Sequence, residues 1–127
     1  MRQRNRGFTL IELLVVVAII GILSAIGVVS YGKYKTSAEK KQAEISLNSI
    51  YLAEQEYKSN NGEYYYDTST SNIVINLFDG VDDLSEQSYS FKTTNANTLS
   101  IIATNKKNSS CTITITEKNK KADAKGC

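Results

Sequence analysis

Apolar residues fall in three different patterns along the chain. From Phe8 to Val29 they are nearly continuous Leu, Ile, Val and Ala, broken by Thr9, Glu12, Gly21, Ser24 and Gly27. About 22 residues at 1.5 Å each make a helix of roughly 33 Å, the thickness of a bilayer core. A helix apolar on every side needs lipid or other helices around it. Beyond Val29 the pattern turns amphipathic. Ala38, Gln42, Ile45, Ser49 and Leu52 follow a helical stripe, widened by Ala43, Leu47, Ile50, Ala53 (or Glu54) and Tyr57. Glu39, Lys40, Lys41, Glu44, Glu54, Glu56 and Lys58 largely supply the opposite face, and Glu54 and Lys58 are spaced for an i,i+4 pair. Asn60-Asn61-Gly62 is a stop signal. One long helix over residues 8–58 is therefore expected, with residues 8–29 as its membrane or helix-packing half.

Residues 59–127 predict a small head. Residues 59–72 read as a connecting loop whose Tyr64–Tyr66 cluster packs on the core. Four strands are expected after it: Ile73–Phe78, Ser88–Lys92, Thr98–Thr104 and Cys111–Glu117. Alternation and β-branched content support them, and short links such as Asn105–Ser110 make the sheet antiparallel. The expected class is α+β, a long N-terminal helix packed on an antiparallel sheet of about four strands. The tail Lys118–Cys127 is charged and has little reason to fold alone.

Charge sharpens the picture at both ends. The chain holds 15 basic and 13 acidic side chains and no histidine. Arg2, Arg4 and Arg6 lie in the first seven residues, and no arginine occurs later. Without those three the balance turns slightly acidic, so the basic character belongs to the N-terminus. Arginines before the apolar run keep that end cytoplasmic and send the rest outward. An ordinary secretory signal has its cleavage site after the apolar run; here the turn-like Asn5-Arg6-Gly7 precedes it. Two cysteines, Cys111 and Cys127, flank the lysine-rich tail. In an oxidising compartment they suggest one disulfide; the competing reading is two free thiols in a cytosolic protein. A bond between them would close a loop of about 17 residues and stabilise the head by roughly 3 kcal/mol.

Glu12 is the one charge inside the apolar run. At a bilayer centre it would cost about 2.5 kcal/mol or more, so it is either hydrated at the interface or partnered. Gly7-Phe8-Thr9-Leu10-Ile11-Glu12, after a basic leader and before an apolar stretch, resembles the class III signal of type IV pilins and pseudopilins. The resemblance implies a leader, residues 1–7, removed by a prepilin peptidase at the Gly7–Phe8 bond. It implies N-methylation of Phe8 and pairing of Glu12 with a neighbour's N-terminus during assembly. It implies a pilin fold with a C-terminal disulfide loop, here Cys111–Cys127. The partners implied are further copies in a helical filament, the inner membrane and the pilus assembly machinery. The precursor would cross the inner membrane once and then become part of a surface pilus. Unlike many members, this helix contains no proline.

Other chemistry finds little support. Asp79, Asp82 and Asp83 form an acidic turn that is a weak calcium candidate without the spacing of an EF-hand; a solvated turn is preferred. Lys106, Lys107, Lys118, Lys120, Lys121 and Lys125 would make a basic patch if the tail folds back. They lack arginine and a stacking platform, so solubility is preferred over DNA binding. Asn108-Ser109-Ser110 fits a glycosylation sequon. No catalytic motif, cofactor site or phosphate loop is evident, and the expectation is a structural subunit rather than an enzyme. A pseudopilin of a type II secretion system or competence pseudopilus shares the same signal. A membrane-anchored protein that never polymerises leaves Gly7, Phe8 and Glu12 unexplained as a set.

Overall fold

A computed structural model describes residues 6–94 and 97–127. The expected leader therefore lies mostly outside the described residues; of it, only Arg6 and Gly7 are described. The elements run α1 (Leu10–Asn61), α2 (Thr70–Leu77), a 3-10 turn (Leu84–Glu86), β1 (Tyr89–Thr94), β2 (Ser100–Asn105), β3 (Thr112–Thr116) and β4 (Asp123–Lys125). The chain divides into two units, one ending at Ser37 and one running Ala38–Cys127.

In the first unit, α1 is exposed on every side from Leu10 through Val29. Among the described residues nothing covers these apolar side chains. By length and composition α1 can cross a membrane, which follows from the unbroken run in the sequence.

In the second unit α1 becomes one wall of a core. The sheet is an antiparallel meander in the order β1-β2-β3-β4. Its register stacks one row as Phe91, Ala103, Ile113 and Ala124, and the next as Thr93, Ile101 and Ile115. These residues alternate with outward side chains that are polar or charged except at Ile102, so one face is apolar. Against that core α1 sets Ala43, Leu47 and Ile50. Ile73, Val74, Leu84, Leu99 and Tyr64 complete it.

The helical stripe is rotated from the expected one. Ile45 and Leu52 are 59% and 67% exposed, whereas Ala43, Leu47, Ile50 and Glu54 are fully buried. Positions 43, 47, 50 and 54 also recur at helical spacing, and the sheet selected that face. Glu54 is thus a core residue, not part of the solvated face. Its expected pair with Lys58 is replaced by one between Lys58 and Glu117, at 3.6 Å.

Two further corrections concern the head. Ile73–Phe78 is helix, not strand: it lies within α2 and its C-cap. A short apolar run is ambiguous between the two. Here Ile73 and Val74 face the core, Leu77 packs against it, and Ile75 is 60% exposed, the spacing of a helix. The chain reverses after α2 through Asp79 (φ 52°) and Gly80 (φ 76°). The fourth strand comes instead from the tail. β4 pairs with β3, setting Lys125 opposite Thr112 and Asp123 opposite Thr114.

Residues 67–70 cover the outer edge of β1. Thr93 donates its N–H to the Asp67 carbonyl at 2.8 Å, and its Oγ1 accepts the Asp67 N–H at 2.9 Å. Phe91 N–H donates to Thr70 Oγ1 at 2.8 Å, and the Thr70 hydroxyl donates to the Phe91 carbonyl. An edge satisfied in this way cannot recruit another strand. Thr93 is 1% exposed, so Thr93→Val is expected to leave the half-buried Asp67 N–H without its acceptor and destabilise the head by about 1 kcal/mol. Denaturant unfolding checks this; an unchanged midpoint would show that the hydroxyl contributes nothing.

Candidate assembly site

Residues 6–9 precede α1 without regular structure. They place the Gly7–Phe8 bond outside the helix. Phe8 is 92% exposed. A side chain at Gly7 would meet nothing within 4 Å, so no neighbouring group in the fold accounts for glycine here.

Thr9 and Glu12 start the helix by a reciprocal cap. The Thr9 N–H donates to Glu12 Oε2 at 2.8 Å, and the Glu12 N–H donates to Thr9 Oγ1 at 3.3 Å. This capping box satisfies two of the N–H groups that a helix start leaves open. Thr-x-x-Glu before an apolar run is its sequence signature, so the cap was legible in the residues even though only the carboxylate drew attention. Glu12 Oε1 accepts no hydrogen bond among the described residues and remains available. Arg6, Gly7, Phe8, Thr9 and Glu12 line one shallow concavity. Phe8 and Glu12 line a second with Ile11, Val15 and Val16. The carboxylate thus sits beside Phe8 on an otherwise apolar surface.

The cysteines are joined. Cys111 and Cys127 form a disulfide across a separation of 16 residues. Cys111 is buried, with the Tyr89 hydroxyl 3.3 Å from its sulfur. Gly126 (φ 68°) brings the tail against the Ser110 carbonyl so closely that any Cβ there would collide with it. That close approach is what lets β4 and the bond coexist.

The remaining candidates are not brought together. Asp79 lines a polar cleft with Glu56, Tyr57, Asn60, Asn61 and Asn76. Asp82 and Asp83 line a different hollow with Phe78 and Val81. Among the described residues no three His, Cys, Asp or Glu side chains are grouped to hold a metal ion. The tail does fold back, yet the lysines divide. Lys125 lies opposite Thr112, at the end of the sheet that leads into Lys106 and Lys107. Lys118, Lys120 and Lys121 lie on the turn beyond Thr116, at the other end. Several are engaged: Lys106 Nζ donates to the Ser85 carbonyl at 2.8 Å, and Lys120 sits over the Tyr51 ring. Asn108 is exposed, and its side chain accepts the Ser110 N–H at 3.2 Å.

A glycine–phenylalanine bond outside the helix and a capped glutamate thus precede an uncovered apolar helix, in a chain with an α+β head. Residues 2–28 match the family described as the prokaryotic N-terminal methylation motif. Over its N-terminal part the chain is similar to type IV pilins. It is 44% identical over 61 residues to the type IV major pilin protein PilA of Myxococcus xanthus, an alignment covering 48% of this chain and 28% of that one. It is 34% identical over 74 residues to a fimbrial protein of Neisseria meningitidis, covering 58% of this chain and 44% of that one. It is 37% identical over 77 residues to fimbrial protein EcpC of Eikenella corrodens, covering 61% and 50%. The chain thus spans half or less of the length of these relatives. No solved structure matches it.

Proposed function

We propose that this chain is a structural subunit, not an enzyme, that polymerises through α1 into a surface filament of the type IV pilus class. The observation that carries the reading is the junction at residues 6–12. An exposed scissile bond stands in non-helical chain, immediately before a capped carboxylate and an uncovered apolar helix. A prepilin peptidase hydrolyses the Gly7–Phe8 bond, and a sulfonium methyl donor methylates the new amine of Phe8. Before assembly, lipid covers residues 10–29 in the inner membrane; after assembly, the helices of other copies do. Cleavage leaves Thr9 in place, so the capping box survives processing. Glu12 then keeps one oxygen on its own helix and offers the other to a neighbour's Phe8 ammonium. In the dry filament core that pairing selects one axial register, because any other leaves a buried charge alone.

Intact mass and N-terminal sequencing of protein sheared from cells test the reading. The expected chain begins at methylated Phe8 and is lighter by two hydrogens for the disulfide. An uncut Met1 confined to membranes overturns it. A processed chain absent from sheared filaments assigns the protein to a pseudopilus instead. Glu12→Ala is expected to be processed normally yet form no filaments, since loss of one partner of a buried pair costs about 3–5 kcal/mol. Normal piliation in that variant would remove Glu12 from assembly.

A further inference from the structure

The head contains a buried carboxyl group that filament assembly does not use. Glu54 has no exposed surface. Its Oε2 accepts the Tyr65 N–H at 2.8 Å. Its Oε1 is buried and has no hydrogen-bond partner among the described residues. The bond joins the penultimate turns of α1 to the loop that runs through Asp67 and Thr70 along the edge of β1.

The charged and titratable groups around this junction are committed elsewhere. On α1, Lys58 lies one turn on, but its Nζ is 3.6 Å from Glu117 Oε1 and 4.2 Å from the Tyr64 ring centre. Tyr51 receives Lys120 over its ring, and Tyr57 packs edge-on against Tyr65. From the loop, the Tyr64 hydroxyl donates to Glu117 at 2.9 Å, and the Tyr65 hydroxyl donates to Asp67 Oδ2 at 3.1 Å. Asp67 is further occupied by the Ser69 N–H and the Asn72 amide. Among the described residues no cation is paired with Glu54. A carboxylate so placed has one N–H donor and no counter-charge, which is an expensive state for a buried ion.

We propose that Glu54 is a proton-operated latch: its neutral carboxyl holds the end of α1 to the 63–69 loop, and loss of the proton loosens that junction.

Burial pushes the Glu54 carboxyl up to about 7, against a smaller opposing effect of the Tyr65 N–H. The folded value thus lies above the ordinary 4.5 of an unfolded chain. Stability from this group is complete below the unfolded value and is lost as pH rises through about 7. The difference corresponds to a change on the order of a hundredfold in the closing equilibrium. The latch therefore works between about pH 4.5 and 7, although the chain has no histidine.

Amide hydrogen exchange on the full-length chain in detergent micelles tests this, with rates corrected for base-catalysed intrinsic exchange. Protection of the Tyr65 N–H is expected to fall by nearly tenfold per pH unit between pH 5.5 and about 7 and to level off between about 7 and 8.5. Protection of Ile101, at the sheet centre, should change less. In Glu54→Gln the fall at Tyr65 should vanish. A flat profile in the wild-type chain, or the same fall in Glu54→Gln, overturns the latch. Should Glu54→Gln not fold, the side-chain carboxyl carbon-13 shift of Glu54 in the wild-type chain decides. A midpoint near 7 upholds the latch, and one near 4.5 removes it. Neither experiment depends on filament formation, so the latch and the assembly reading stand or fall separately.

Discussion

Replacing Cys111 and Cys127 together by serine is expected to lower the stability of the head by about 3 kcal/mol, the loop-closure effect of a bond spanning a loop of this size. At roughly 4–8 °C per kcal/mol for a domain of this size, the melting temperature should fall by about 12 °C or more. The structure says why the tail depends on the bond. β4 has three residues, and only Ala124 packs partly on the core while its neighbours are exposed. A strand that short is marginal alone. Its flanks are set by the buried Cys111 and by the contact of Gly126 with Ser110. The variant should therefore lose amide protection first in residues 122–127, with Ile113 and Ile115 still protected at moderate temperature. Thermal unfolding of the full-length chain, with and without a thiol reductant, checks this. Reductant should bring the wild-type midpoint down to that of the variant. Equal midpoints without reductant would mean that the tail contributes no stability to the head.

Leu47→Ala and Ile45→Ala should differ sharply although they sit two residues apart on the same helix. Leu47 is fully buried against the sheet, and its truncation leaves a cavity that costs about 2–5 kcal/mol. Ile45 is 59% exposed, so Ile45→Ala should alter monomer stability by no more than about 0.5 kcal/mol. Denaturant titration of the two variants in parallel provides the comparison. Equal losses would mean that α1 presents a different face to the sheet.

The apolar run, the long helix and three of the strands were legible because each follows a period that backbone geometry imposes. Ile113 and Ile115 alternate with Thr112, Thr114 and Thr116, and only a strand puts such residues on one face. The N-terminal motif over residues 2–28 was legible because such a motif is a linear pattern that needs no fold to be read. The run Ile73–Phe78 was not, because six apolar-rich residues fit either period until a core chooses. Nor was β4: Asp123-Ala124-Lys125 has no strand pattern, and it pairs because a disulfide and Gly126 bring it alongside β3.

By itself the sequence determined that this protein has a long N-terminal helix whose first half, residues 10–29, carries no charge but Glu12, a basic N-terminal segment before it and an α+β head. These depend on composition and period within a local window. Only the tertiary structure decided which stripe of α1 is buried, that Glu54 lies in the core without a counter-ion, and that the tail lysines separate to opposite ends of the sheet. Those outcomes depend on which surfaces meet. Helical positions 45 and 52 are as regularly spaced as 43, 47, 50 and 54, and the difference between them is made by a sheet some forty residues or more further along the chain.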